Sequence, residues 1–402
     1  MRIFFITTEM IDSETLLPQD GGLANYLCKI TVALANYNND VNVIIITKNI
    51  EKTINFNGVN VIFTPLFNKQ SLIDKIKWKL KTKKQKHELL CKIIHLKLQE
   101  EHKKNKIDII QYASFQALGS QPESNIPSCV RISSYAKLWQ KNYNHTNKQE
   151  IINEINQFKK AKYLFGPSKQ IADYIKKDLN LKKTIEIIET PYAPKITKLD
   201  KSLFEKLQEK IEKKEYLIFF GSIGLLKGAQ EIADIAYDTL KKYPNLCIVL
   251  VGKQKKIGHH LPVDIIKRNA KQYSDRVIHF DKTSHEQLFP LITKSKAVIL
   301  PSRIDNLPNT CIEAMGLGKI VIGSKGASFD QLIDDGISGF LCHASNAQSL
   351  QLAIDRLMTL NENKIKQMEC AAYERTKKLS LEIIVPQHIY FYNNVIKGWT
   401  QK

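Results

Sequence analysis

Residues 297–324, AVILPSRIDNLPNTCIEAMGLGKIVIGS, admit few folds. The segment opens on a β-branched apolar run, 297–300, that suits a buried strand, and Pro301-Ser302 stops it. After the polar turn Asp305-Asn306-Leu307-Pro308-Asn309, apolar residues at Ile312, Met315 and Leu317 are spaced for a short helix. Gly316 and Gly318 close that helix before a second strand at 320–323. Loop amides at the mouth of such a helix, aided by the positive end of its dipole, suit a phosphate ester. Asp305 and Glu313 are eight residues apart, just over two helical turns, so the loop must hold Asp305 near the helix mouth. Carboxylates there accept hydrogen bonds from hydroxyls. Together these features describe a pocket for a nucleotide-linked sugar.

A chain of 402 residues exceeds one ordinary core, so two domains are expected. Its apolar content of 43% argues against disorder. No run reaches the uncharged apolar length needed to cross a bilayer, and the first apolar run meets Glu9 and Asp12 too soon for a signal peptide, which predicts a cytoplasmic protein. Seven cysteines without a C-x-x-C pair predict core thiols rather than a disulfide framework or a zinc site. The net charge of +20, mostly lysine, favours anionic partners, namely nucleic acid, anionic lipid or phosphorylated substrates. The chain is also rich in Ile and Asn, so part of the excess is compositional.

The alternation of strand and helix runs through the whole chain. A strand at 2–7, the turn Asp20-Gly21-Gly22, a helix over 24–37 with Leu27, Ile30 and Leu34 on one face, and a strand at 41–47 read as a βαβ unit. The glycine pair lets backbone approach a ligand without a Cβ in the way. Residues 69–106 are lysine-dense and spaced for two amphipathic helices, one with Leu72, Ile73, Ile76 and Leu80 beside Trp78, the other with Leu90, Ile93, Ile94 and Leu98. Such helices lie on anionic membrane, where each lysine adds about 1 kcal/mol, or they turn the apolar stripe into the domain core. Strands are expected at 107–112, 128–133, 161–165 and 184–189, before a proline-rich exit at 190–194. Beyond it come strands at 216–220, 246–252 and 276–280, with Ser284 as a helix cap. Helices over 347–360, 362–378 and 380–399 end the chain, the last offering Ile389, Tyr390, Tyr392, Asn393 and Ile396 for packing.

The pattern P-S-x-x-[E/D]-x7-E-A-M-x-x-G, which runs from Pro301 to Gly318, resembles the E-x7-E signature of the retaining glycosyltransferases of family GT4. That resemblance implies an α/β GT-B fold, two Rossmann-like domains facing a central cleft. It implies an acceptor-side domain over 1–194, a nucleotide-sugar donor domain over 195–378 and a C-terminal helix, 379–402, returning to the first domain. Glu313 would bind the donor ribose, and Asp305, in the place of the first glutamate, would hold the donor sugar. The loop amides of Asn306, Leu307, Asn309 and Thr310 would hold sugar and phosphates, with the Gly21-Gly22 loop near the diphosphate. Residues 221–228, GSIGLLKG, are similar to the family's G-R-x-x-x-x-K-G, so Lys227 would neutralise the diphosphate. Ser222 stands where the arginine usually does, which removes a bidentate contact, and Arg303 is the nearest other cation in sequence. Phe280 to Thr283 fall where the family contacts the base. Arg131 and Ser133 lie where members carry V-x-R-x-H; they are acceptor candidates, and equally they end a strand.

The implied activity is metal-independent transfer of a sugar from a UDP- or GDP-linked donor to a glycan or lipid-linked acceptor. No Asp-x-Asp metal motif is present and no cofactor is expected. The implied setting is surface-polysaccharide or lipopolysaccharide biosynthesis on the inner face of the cytoplasmic membrane, with residues 69–106 on anionic lipid. The alternatives are a GT-B nucleotide-sugar epimerase and, because of Ser222 and Ser133, a non-catalytic membrane scaffold. Nucleic acid is not expected as a partner, because no RNA or DNA motif accompanies the lysines. The segment also lacks a P-loop and a G-x-G-x-x-G.

Overall fold

The computed structural model describes residues 1–67, 78–120, 125–141, 146–194 and 198–400. The chain divides into two compact units, Met1–Pro191 with Leu381–Lys402, and Tyr192–Ser380. Each is built on one sheet.

In the first unit β1 (Arg2–Thr7), β2 (Asp40–Thr47), β3 (Lys52–Phe56), β4 (Val59–Pro65), β5 (Ile109–Ala113), β6 (Ser128–Arg131), β7 (Tyr163–Gly166) and β8 (Ile185–Ile187) lie in the order β3-β4-β2-β1-β5-β6-β7-β8. All neighbours pair parallel except β3 and β4, a hairpin that the sequence reading passed over. Its turn is Asn57-Gly58, both at positive φ (50° and 87°), as a two-residue hairpin turn requires. In the second unit β9 (Glu215–Phe220), β10 (Leu246–Val251), β11 (Val277–Phe280), β12 (Ala297–Leu300), β13 (Val321–Lys325) and β14 (Gly339–His343) form a parallel sheet in the order β11-β10-β9-β12-β13-β14. Every residue of β10 and β12 is buried, which is why these strands read as unbroken apolar runs rather than alternating ones.

In both sheets the strand order reverses once, beside the first strand. That is between β1 and β5 in the first unit, and between β9 and β12 in the second. Outside the carboxyl ends of strands at such a reversal the flanking loops diverge and leave a crevice, the usual ligand position in an open α/β sheet.

The helix Lys83–Lys104 buries Cys91, Ile94 and Leu98 in the first unit's core and starts with a capping box between Thr82 and Gln85. Its apolar stripe therefore faces the sheet and its lysines face outward. The other helix expected in 69–106 lies mostly outside the described residues. The C-terminal helix Leu381–Thr400 packs on the first unit through Ile384, Val385, His388, Phe391, Tyr392 and Val395. Of the expected packing residues, Tyr392 is buried and Ile389 and Ile396 pack partly against the same core, whereas Tyr390, 71% exposed, and Asn393 face outward. The buried set is the one with helical periodicity and includes a histidine that an apolar reading omits. Ser284 occupies the N-cap of the helix His285–Lys294, but its side chain bonds Glu286 instead of a helix amide. All seven cysteines are free; five are buried and Cys28 half-buried, whereas Cys370 is exposed and so departs from the core-thiol expectation.

Candidate functional site

The reversal point of the second sheet brings two loops together. After β9 the chain passes through Gly221 (φ 117°), a single 3₁₀ turn at Leu225–Lys227, and Gly228 (φ 83°) before the helix Ala229–Lys242. Gly228 is required there, because a Cβ would sit 2.1 Å from the carbonyl oxygen of Pro301 at the end of β12. The Arg303 amide donates to the Leu226 carbonyl (2.9 Å), tying the second loop to the first. A Cβ on Gly221 would touch Thr310 Cγ2 at 3.4 Å, so the β9 loop borders the start of the helix Asn309–Gly316.

On this frame Lys227 Nζ donates to Asp305 Oδ2, joining residues far apart in sequence. The other carboxylate oxygen of Asp305 accepts from the Asn306 amide (3.0 Å), and the Ser328 hydroxyl donates to the Asp305 carbonyl (3.0 Å). Lys227 keeps 39% of its side chain exposed against 14% for Asp305, so the cation is reachable while the acid is fixed. Leu307 is at φ 60° with its side chain in the core, an unfavourable backbone state for a branched residue. Only its backbone can face a ligand. Asn309 and Thr310 form the first turn of the helix Asn309–Gly316, with Pro308 before it and no side chain capping its amides. These amides are free of helical partners by geometry.

Glu313, in the same helix, has an 11% exposed side chain whose Oε2 lies 3.8 Å from His285 Nε2. Tyr192 stands beside it, and burial together with the Glu313 charge pushes that phenol up to about 12. The Tyr192 ring lies against Gly316, where a Cβ would come within 2.1 Å of Cζ. Tyr192 and His285 are neighbours that sequence reasoning missed; Gly316 in E-A-M-G was the one local hint. Arg303, weighed from sequence as a further phosphate cation, is engaged by Glu231, with Nε at 2.8 Å and Nη2 at 2.7 Å from one carboxylate oxygen. Ser222 is half-buried at the start of the β9 loop. Phe280 ends β11, with Asp281 to Thr283 in the loop beyond it.

The first unit's candidates lie at its own reversal point and beyond. Gly21 (φ 131°) and Gly22 are exposed at the start of the helix Gly22–Asn36, and a Cβ on Gly21 would meet Glu9 Oε2 at 3.6 Å. Burial raises the Glu9 carboxyl above its ordinary value. Arg131 is turned into the core, 4% exposed, its guanidinium 3.6 Å above the ring of Tyr26. Tyr26 bonds His388 Nε2 (2.9 Å), and Tyr392 donates to Gln111 Oε1 (2.5 Å). Ser133 is held by Ser114 Oγ (3.1 Å) and accepts from the Phe115 amide (3.2 Å), bracing the loops after β5 and β6. Arg131 ends β6, and Ser133 lies two residues beyond it. Among the described residues no group of three or more His, Cys, Asp or Glu side chains is gathered as metal ligands would be.

Residues 200–376, which hold the Lys227, Asp305 and Glu313 cluster, match the family model Glycosyl transferases group 1. This segment is a group 1 glycosyl transferase domain. Over 208 residues the chain is 26% identical to an uncharacterised glycosyltransferase of Methanocaldococcus jannaschii, a match covering 51% of each sequence. The chain thus spans about half the length of that relative. Among solved structures, sucrose-phosphate synthase from Thermosynechococcus elongatus superposes with a TM-score of 0.77 at 16% identity, covering 99% of both chains. HepE of Anabaena, solved with UDP and glucose, gives 0.69 at 15% identity, covering 98% of this chain and all of that one. The fold is of GT-B type, two parallel-sheet α/β domains.

Proposed function

We propose that this protein is a retaining glycosyltransferase that moves a sugar from a nucleotide-diphosphate sugar, UDP- or GDP-linked, to an acceptor hydroxyl. The reading rests above all on one observation: within the group 1 glycosyl transferase domain, Lys227 and Asp305 meet at the strand-order reversal, beside the first turn of the helix that carries Glu313. A cation and uncapped helix amides stabilise the charge that grows on a leaving diphosphate. Asp305 orients the donor sugar through its hydroxyls, with the Asn306 and Leu307 backbone beside it, and Glu313 accepts from the ribose hydroxyls. The anomeric carbon–phosphate oxygen bond breaks as the acceptor oxygen attacks from the same face, and the acceptor proton passes to the departing phosphate. Because Lys227 and the amides supply the positive charge, the transfer runs without a metal ion or a bound cofactor.

The acceptor is a glycan or lipid-linked precursor of a surface polysaccharide, handled on the cytoplasmic face of the membrane. Membrane contact falls on the lysine-bearing outer face of the helix Lys83–Lys104, whose apolar stripe is already packed. The HepE likeness favours a UDP-linked donor.

The test is thermal stabilisation of the wild type, Glu313→Ala and Lys227→Ala by UDP, GDP and their sugar esters, with chelator present. Ligand at about a hundredfold above Kd adds about 2.7 kcal/mol to folding. Stabilisation of the wild type, lost in both variants, supports the site; equal stabilisation of all three proteins places the nucleotide elsewhere. A requirement for divalent ion would overturn metal independence. If no nucleotide stabilises the wild type, the scaffold reading takes over.

A further inference from the structure

The second reversal point is bordered by a third segment, the one following β10. Gly221 and Gly252, which directly follow β9 and β10, touch backbone to backbone, since a Cβ on Gly252 would lie 1.9 Å from the Gly221 carbonyl oxygen. Past the glycines the two chains stay paired. The Ile223 amide donates to the Lys253 carbonyl (3.0 Å), the Lys255 amide donates to the Ile223 carbonyl (2.8 Å), and Ile223 bridges Gln254 in parallel. Residues 253–255 therefore run alongside Ser222, Ile223 and Gly224. In an extended segment successive side chains alternate between faces. Gln254 uses its face to accept from the Val263 amide (3.0 Å), which sends Lys253 and Lys255 the other way. The Cβ of Lys255 lies 3.2 Å from where a Cβ on Gly224 would be, and the Gly224 carbonyl accepts from the amide of Lys227 (3.0 Å).

The charges around this loop are unevenly committed. Lys227 is paired with Asp305 and Arg303 with Glu231. Ser222 brings no charge. Lys253 and Lys255 are exposed and, among the described residues, neither forms an ion pair. A diphosphate monoester carries more negative charge than one lysine offsets, and exposed ammonium groups on a braced backbone act as point charges toward it. We infer that Lys253 and Lys255 form a second cationic contact for the donor diphosphate, on the flank of the β9 loop. This deepens the donor reading above and rests on it.

The test is calorimetric binding of UDP and GDP, with uridine and guanosine as phosphate-free probes, at two salt concentrations. It compares wild type, Lys253→Ala/Lys255→Ala, Lys253→Arg/Lys255→Arg and a distant control, Lys83→Ala/Lys84→Ala. The alanine pair is expected to weaken diphosphate binding about tenfold and flatten its salt dependence, with nucleoside binding and melting temperature unchanged. The arginine pair should retain the affinity. Diphosphate binding within twofold of wild type in the alanine pair, or an equal loss in the distant control, overturns the inference. A wild type that binds neither diphosphate overturns the donor reading itself, an outcome distinct from either.

Discussion

The two sheets share one six-strand core order, the first adding β3 and β8 at its edges, yet the polar groups behind their reversal points are arranged in opposite ways. In the second unit they are charged and lie in the loops and helices that follow the strand ends: Lys227 with Asp305, Arg303 with Glu231, and Glu313 near His285. In the first unit they are mostly sunk in the core, where Arg131 lies on Tyr26, Tyr26 bonds His388, and Glu154 accepts from Ser134 and from the Ala136 amide. The same scaffold thus carries ion pairs beyond the strand ends in one unit and a buried polar network around Arg131 in the other. Titration separates the two. Burial, with Arg131 adding to it, holds His388 down to about 4 from its ordinary 6.5, and burial raises Glu154 to about 8 from 4.5. The large shifts of the second unit, at Tyr192, Tyr216, Cys311 and Cys342, are upward shifts of phenols and thiols.

The largest expected effect follows from that contrast. His388 contributes stability that is complete above its unfolded value and is lost as pH falls from 6.5 toward 4. Glu154, with a raised value, contributes stability that is complete below 4.5 and is lost as pH rises through 8. The His388 shift is worth about 3 kcal/mol and the Glu154 shift about 5 kcal/mol. The first unit should therefore be most stable between 4.5 and 6.5, the two unfolded values. All three tryptophans, Trp78, Trp139 and Trp399, belong to the first unit, so urea melts followed by tryptophan fluorescence across pH read it selectively. Glu154→Gln should abolish the alkaline limb, and a flat profile in the wild type would break the comparison.

Next in size is Gly228→Ala, which forces a Cβ onto Pro301 at a left-handed φ of 83°. A loss above about 2 kcal/mol is expected, confined to the second unit and visible by far-UV circular dichroism. Gly21→Ala, the corresponding change in the first unit, meets only Glu9 Oε2 at 3.6 Å and should cost about 1 kcal/mol, read by tryptophan fluorescence. An equal cost at both glycines would show that φ alone, not close approach, sets the penalty. Smallest is Lys227→Met, whose partly exposed ion pair should shift stability by less than about 1 kcal/mol while donor affinity falls. A large loss of stability there would make the pair structural instead.

The core strands were legible because helices cover both faces of each sheet, so that burial wrote continuous apolar runs such as LCIVLV of β10. The hairpin β3–β4 was overlooked even though Asn57-Gly58 is a strong local turn signal. At the candidate site, Lys227, Asp305 and Glu313 stood out because they fall in local linear patterns, GSIGLLKG at 221–228 and the run from Pro301 to Gly318. The partners that complete the picture did not. Tyr192 on Gly316, His285 near Glu313, Glu231 on Arg303 and Lys255 beside Gly224 are contacts between distant segments, and no local spacing encodes them. The place of Arg131 on the Tyr26 ring is a contact of the same long-range kind.

The last helix belongs to the first unit, and this sets an order of events during synthesis. Residues 1–191 leave the ribosome long before Leu381–Lys402 exist, with the whole Tyr192–Ser380 unit translated in between. At elongation rates of about 5–20 residues per second that interval is roughly 10–40 s. Throughout it Tyr26 lacks His388, Gln111 lacks Tyr392, and the groove later filled by Ile384, Val385, Phe391 and Val395 stays open to water. The half of the protein that begins first is thus finished last. A premature stop just after Ser380 would damage the first unit and leave the residues of the second unit intact.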